Sequence, residues 1–544
     1  MRAALRLAAV LALAAPLPAA AESAPRDAAF VLEEATLADV QRAFAAGTLG
    51  SQQLVDAYLA RIAAYDGRLH AIITVNPKAR DQAAALDAER RAGRSRGPLH
   101  GIPVLLKDNI DTGDLPTSNG SAILKDSIPP DDAHIAAALR AAGAVILGKA
   151  AMGEFAGGSY NSVSGQAVNP YNARRHTGGS SSGSGAALAA NFAMLAVGTD
   201  TSTSVRGPAA YNGVVGLRPT TGLISRDGIA PKNLDFDTAG PMARTVRDVA
   251  VMLGTLAFRD AADPASAPVW DEVDRRYAVK DGRVDYSAFL DTQALKGKKL
   301  GVVRDFFGSD AEIDRLAEAA LAQMRKLGAQ TVDIHLDPAF VAAYVGDGNR
   351  AIRRVADYRF RADWERYLAT LGPQVPKTVA AFVERYETVV ARSPLPVEAS
   401  VMRLLKDSLK TSTDDPAYRQ LIDKTLPQAS ADKLALFARY GVDALVFPYH
   451  ASFAPPIRNP VYRIDDPDFV AAGKPEPATL AGYGAVGLPS IVVPMGFGRA
   501  GLPTGIGFLG RPYEEGALLG YAYAYEQASQ QRRPPRLTPA IRMP

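Results

Sequence analysis

The feature that most constrains this chain is its alternation of short apolar runs with longer segments of helical periodicity. Ala71–Val75, Ile102–Leu106, Val145–Leu147, Leu300–Val303, Thr331–Ile334, Ala444–Phe447 and Ser490–Val493 are short, apolar and rich in β-branched residues, and read as strands. Between them, Thr36–Tyr65 reads as two helices divided at Gly47 and Gly50, with Leu54, Ala57, Tyr58 and Ile62 at helical spacing. Pro77–Arg91, read as an exposed helix, Asp132–Ala142 and about Asp310–Leu327 follow the same pattern. Strands and helices in alternation predict an α/β layered fold. The stretch from about 337 to 433 departs from this. It is helical, rich in Arg, Tyr and Glu, and reads as an insertion packed over the core and shaping a pocket, with Tyr358, Phe360 and Trp364 as pocket or core residues. Gln530–Pro535 reads as a tail. Length alone, at 544 residues, suggests two to four domains.

The first residues have a different character. Arg2 and Arg6 precede the apolar run Leu7–Ala15, which Pro16 and Pro18 break before Ala19-Ala20-Ala21. Positive, apolar and small-residue regions in that order predict a secretory signal peptide over 1–21 and an exported, periplasmic or secreted chain from 22 to 544. A buried N-terminal helix and a retained anchor are the alternatives. The chain carries 61 Lys+Arg against 57 Asp+Glu, and two of those arginines belong to the leader. The near-neutral remainder gives no electrostatic reason to expect nucleic acid or an anionic membrane as a partner. No later apolar run is long enough to span a bilayer, so no stable membrane association is expected. Cysteine is absent, which excludes disulfides, thiolate metal sites and a Cys nucleophile. Six histidines without a close pair or an H-E-x-x-H motif give metal no foothold.

Three segments carry candidate chemistry. Gly178–Gly185 has no apolar side chain in eight positions and precedes a helical segment, so its amides lie where an anion could sit. The bland alternative is a flexible linker. Its Gly179–Gly183 portion also spells G-x-S-x-G around Ser181, the nucleophile-elbow pattern, but Asn169–Thr177 before it is no buried strand. Thr199-Asp200-Thr201-Ser202-Thr203-Ser204, within a loop read over Gly198–Gly207, sets five hydroxyls around one carboxylate. It fits an oxyanion-binding loop or an Asx/ST turn network. Lys107 ends an apolar strand, either as a solvated edge residue or as a desolvated lysine able to act as a base.

The order and spacing of these segments, with Gly101–Asp108, Gly143–Lys149, Asn212–Thr220, Gly487–Ser490 and Gly501–Gly505 around them, resemble the amidase signature family. The text around Pro208–Gly228 is most similar to its peptide amidases. The resemblance covers almost all of the chain beyond the leader and is weakest over 337–433. It implies one large α/β/α domain around a mixed central sheet, in place of several domains. It implies Ser204 as nucleophile, Ser180 as a bridging serine held by a cis peptide bond, and Lys107 as general base. Asp200, Arg206 and Ser181 fall on supporting positions, and the backbone N–H groups of Thr201, Ser202, Thr203 and Ser204 on the oxyanion hole. No cofactor is implied. The substrate would be a small-molecule or peptide amide, with esters as an additional class, and the protein a monomer or homodimer. One departure stands out. Ser202-Thr203 replaces the Gly-Gly or Asp-Gly of many members, and a β-branched Thr203 resists a positive φ. An amidotransferase A-subunit, an α/β-hydrolase-type esterase using Ser181, and a non-catalytic binding protein on the same scaffold are the rival readings.

Overall fold

The computed structural model describes residues 30–390 and 393–541. The leader pattern at 1–21 lies outside them. Fifteen strands run in chain order: β1 (Ile72–Val75), β2 (Pro103–Lys107), β3 (Val145–Ala150), β4 (Tyr160–Asn161), β5 (Gly165–Gln166), β6 (Leu195–Asp200), β7 (Val215–Arg218), β8 (Thr238–Ala243), β9 (Val279–Lys280), β10 (Arg283–Val284), β11 (Lys299–Val303), β12 (Gln330–Ile334), β13 (Ala444–Pro448), β14 (Ser490–Phe497) and β15 (Pro503–Leu509). Eleven form one sheet in the order β1-β3-β2-β6-β8-β7-β14-β15-β13-β11-β12, and two short ribbons, β4-β5 and β9-β10, stand apart. The sheet is mixed. β2 is parallel to β3 and β6, and β11 to β12 and β13. β8 runs antiparallel to β6 and β7, and β14 antiparallel to β7 and β15.

Every residue of β2, β3, β6, β7, β8, β13 and β15 is buried. Alternate strand residues point to opposite faces, so helices and loops cover both sides of the sheet. That is why these strands read as continuous apolar runs. One large α/β domain results, with helices flanking a mixed sheet. Between β12 and β13 every regular element among the described residues is helical, from Pro338–Tyr344 to Leu426–Tyr440.

Several expectations need correction. Lys107 does not edge the sheet; β2 lies between β3 and β6, and Lys107 is fully buried. The expected loop over Gly198–Gly207 is a strand end, three bends and a helix: β6 continues through Asp200, and Arg206 opens the helix Arg206–Tyr211. The Pro77–Arg91 segment is a helix from Ala79, but half-embedded, since Ala79, Ala83, Leu86 and Asp87 are buried. The tail is packed down. Arg532 pairs with Glu34 at 2.7 Å and donates to the carbonyls of Gly213 and Ala189.

Candidate active site

Three adjacent parallel strands, β3, β2 and β6, end together, and ligands of α/β sheets gather at such carboxyl ends. The β2–β6 register pairs Leu106 with Val197, which sets Lys107 level with Gly198, one residue before Thr199. Its Nζ donates to Ser180 Oγ at 2.8 Å, to Thr199 Oγ1 at 2.8 Å and to the Thr199 carbonyl at 3.2 Å. Burial pushes the Lys107 ammonium down to about 7, against the opposing pull of Asp200 and Asp237. When neutral, the amine keeps two N–H donors for Thr199 and turns its lone pair toward the Ser180 hydroxyl.

The Gly/Ser segment is a close-packed turn rather than a linker. The Gly179-Ser180 peptide is cis. A Cβ on Gly179 would lie 1.8 Å from the Gly158 carbonyl oxygen, and one on Gly183 2.2 Å from that of Ala71. Only glycine permits these approaches. Some of the loop amides are already engaged: Ser181 N–H goes to the Ser204 carbonyl at 3.1 Å and Gly183 N–H to the Ala151 carbonyl at 2.7 Å. The Ser180 carbonyl accepts from Gly153 N–H at 3.1 Å. Ser181 is fully buried; its hydroxyl donates to the Thr199 carbonyl at 3.2 Å and accepts Thr199 N–H at 3.3 Å. It braces β6 against the loop, and no strand of the structure leads into it.

Asp200 anchors the second segment. Its carboxylate receives Arg206 Nε at 3.1 Å, Arg218 Nη1 at 3.0 Å and Val205 N–H at 3.0 Å. Burial alone would raise this carboxyl; the two guanidinium groups outweigh it and hold it below the usual carboxylate range. Arg206 also donates to the Ser202 carbonyl and, at 3.0 Å, to that of Ala481. The Thr201 hydroxyl donates to Asp237 at 2.6 Å. Residues 202–204, two bends and the start of a turn between β6 and the following helix, are partly exposed, and among the described residues their three N–H groups donate to no acceptor. Consecutive unpaired amides in a bend form a concavity suited to an anion. No residue from Asp200 to Arg206 has a positive φ, so Thr203 fits without the left-handed backbone it would resist. Ser204 lies on this loop, and its carbonyl accepts Ser181 N–H, one residue after Ser180. Among the described residues its hydroxyl makes no hydrogen bond, so the structure joins Lys107 to Ser180 but not Ser180 to Ser204.

Sequence reasoning placed Thr199 only among the loop hydroxyls and missed Asn109, Arg218 and Asp237 as participants. Thr199 and Asn109 complete the Lys107 environment, since Asn109 Nδ2 donates to Thr199 Oγ1 at 3.2 Å. Arg218 and Asp237 fix the start of the Asp200–Ser204 segment, through Asp200 and the Thr201 hydroxyl. Asn109 follows Lys107 by two residues and Arg218 ends an apolar strand, but neither had a signal apart from that placement. Of the three aromatics read as pocket or core residues, Phe360 and Trp364 are core, packed edge-on against Phe155, and Tyr358 lines an open groove. Among the described residues no three His, Asp or Glu side chains cluster to hold a metal ion.

The chain is similar to known proteins over most of its length. The solved peptide amidase of Stenotrophomonas maltophilia is 38% identical, with a TM-score of 0.80 over 93% of this chain and 99% of that one. An amidase family protein of Bacillus anthracis is 31% identical, with a TM-score of 0.78 over 93% of both chains. The glutamyl-tRNA(Gln) amidotransferase A-subunit of Methanosarcina barkeri is 34% identical over 491 residues, 86% of this chain and 93% of that protein. A family model described as Amidase matches residues 53–519, a span that holds Lys107, Ser180 and Ser204. With its mixed sheet and the Lys107–Ser180 contact at the strand ends, the chain belongs to the amidase signature family.

Proposed function

We propose that the protein is an exported, free-standing hydrolase of linear amides. Ser204 is the nucleophile, Ser180 the proton bridge and Lys107 the base. The observation that carries this reading is the 2.8 Å contact from Lys107 Nζ to Ser180 Oγ, with the lysine buried and its ammonium lowered to about 7. A serine hydroxyl attacks a carbonyl only when its proton is removed as the bond forms. Ser204 Oγ attacks the amide carbon; its proton passes to Ser180 Oγ, whose own proton passes to neutral Lys107. The tetrahedral oxyanion lies against the N–H groups of Ser202, Thr203 and Ser204, with Thr201 at the edge of the same loop. Lys107 returns the proton through Ser180 to the leaving nitrogen, the C–N bond breaks, and an ester to Ser204 remains. Water, deprotonated along the same route, releases the acid and restores the hydroxyl.

Export rests on the Arg2, Arg6, Leu7–Ala15 and Ala19–Ala21 pattern. The curated relatives named as amidotransferase subunits support a second reading, in which the chain delivers ammonia inside a complex. The near-neutral charge outside the leader and the leader itself weigh against it. The esterase reading needs Ser181 exposed, and its hydroxyl is buried on the Thr199 backbone. The test is hydrolysis of an amide panel by the isolated mature protein. Ser204→Ala abolishes turnover with folding intact, and Ser181→Ala leaves the nucleophile chemistry in place. Loss of activity in Ser181→Ala but not in Ser204→Ala overturns the assignment. A wild-type protein inert on every amide and ester without a partner favours the complex or the binding protein.

A further inference from the structure

Lys232 is a buried cation beside the site that the hydrolytic chemistry does not use. The residue is 4% exposed. Only its backbone N–H is engaged, donating to Asp237 at 2.7 Å. Among the described residues its ammonium has no hydrogen bond and no ion pair; it faces the ring of Phe360, 5.3 Å from the centroid. Burial lowers this ammonium to about 8, with Asp357 opposing and Arg353 adding to the shift. A buried ammonium without a hydrogen-bonded partner is costly, and a charged ligand removes that cost.

Its position ties it to the reacting loop from both sides. Two residues earlier, Ala230 exchanges hydrogen bonds with Asn109, at 2.8 Å and 3.2 Å, and Asn109 binds the Thr199 hydroxyl that receives Lys107. Two residues of chain span at most about 7 Å. On the other side, Asp237 holds both the Lys232 N–H and the Thr201 hydroxyl. The helix Asp347–Ala356 closes the space. Its Asn349 accepts Tyr483 N–H at 2.8 Å, and a Cβ on Gly482 would lie 2.7 Å from Asn349 Oδ1 and 3.0 Å from Ser202 Oγ. The same helix carries Arg353, whose charge bears on both Lys232 and Tyr483. With Arg350, Arg354 and Arg403, Arg353 lines a groove of about 660 Å³ that holds five cations and two carboxylates.

We propose that Lys232 is the anion subsite of the substrate pocket, so that the preferred substrate is a linear amide bearing a carboxylate on the same molecule. The Lys232 ammonium over Phe360 receives the anion, and Arg353, whose charge reaches Lys232, adds to the positive field around it. One ammonium matches one carboxylate, whereas a phosphate dianion would leave a charge uncompensated in a buried place. This rests on the reading of the site as an amide hydrolase.

The test compares a graded series of diacid monoamides with their methyl-terminated counterparts, beginning with succinamate and butanamide. Wild-type protein shows a kcat/KM ratio of roughly tenfold or more in favour of the carboxylate at the best chain length. Lys232→Met collapses that ratio by roughly tenfold, and Lys232→Arg restores most of it. Calorimetric titration of Ser204→Ala protein with succinate and its longer homologues, with and without Lys232→Met, reads the subsite without any turnover. A series in which the methyl-terminated amide is always preferred, or a ratio unmoved by Lys232→Met, overturns the proposal. If wild-type protein hydrolyses no amide of either series, the hydrolase reading fails and the titration alone decides the subsite. Diacid affinity that ignores Lys232→Met then refutes it.

Discussion

Asp200→Asn tests what holds the oxyanion loop. The substitution keeps the shape of the side chain and removes its charge. Arg206 and Arg218, both buried, lose their common carboxylate. Breaking a buried pair by removing one partner costs about 3–5 kcal/mol, because the remaining charge stays buried and unpaired. Unfolding entropy of about 2.1 cal/mol/K per residue over roughly 500 ordered residues makes this a shift of about 3–5 °C in Tm. Because the folded carboxyl lies below its ordinary value, its stabilisation is complete above about pH 4 and is lost only as the pH falls further. The gap between wild type and variant is therefore constant from pH 5 to pH 8. Catalysis suffers as well. Arg206 links Asp200 to the Ser202 carbonyl, so releasing it lets the three free amides drift, and a misplacement of about 1 Å costs about a hundredfold in kcat. Differential scanning fluorimetry across pH and amide turnover by the same preparation measure both effects. A Tm within about 1 °C of wild type, or a gap that closes between pH 8 and pH 5, refutes the reasoning.

Two further outcomes follow from the site. Lys107 accepts a proton only when neutral, and at about 7 the neutral fraction drops about tenfold per pH unit on the acid side. The kcat/KM profile therefore rises through about pH 7 to an alkaline plateau, and a plateau that persists below pH 5 removes Lys107 as the base. Gly179→Ala places a methyl 1.8 Å from the Gly158 carbonyl oxygen, which forces the loop to move. Its expected signature is a loss of about 1–3 kcal/mol in chemical denaturation together with loss of turnover, and wild-type behaviour in both would show that the loop yields freely.

The layered fold was legible because sheet burial on two faces leaves continuous apolar runs. β2 and β13 announce themselves as Pro-Val-Leu-Leu and Ala-Leu-Val-Phe. β6 and β8 were hidden for a physical reason. Leu195-Ala196-Val197-Gly198-Thr199-Asp200 ends in small and polar residues because those positions build the site, and a Cβ on Gly198 would lie 2.8 Å from Ser181 Oγ. Thr238–Ala243 carries Gly240, where a Cβ would meet the Leu217 carbonyl at 2.3 Å. Close approach replaced side chains with glycine and erased the strand pattern. The tail reading failed because Arg532 and Arg533 look solvated, whereas Glu34, distant in sequence, receives Arg532.

The catalytic candidates were legible as types and order, but their electrostatics were not. Lys107 shares its surroundings with Asp200, and a free carboxylate there would stabilise the ammonium and oppose its loss of a proton. Arg206 and Arg218, six and eighteen residues further along the chain, converge on that carboxylate and offset its charge. Desolvation is then left as the largest influence on Lys107, and it favours the neutral amine. Neither arginine touches Lys107, and no spacing rule links residues 107, 200, 206 and 218. The tuning arises only when β2, β6 and β7 bring them to one end of the sheet. This gives Arg218 a consequence distinct from packing. Arg218→Met leaves Asp200 with one guanidinium, strengthens the carboxylate's pull on Lys107, and moves the acid limb of kcat/KM to higher pH. A limb that stays in place while stability falls would mean that Arg218 only anchors the loop.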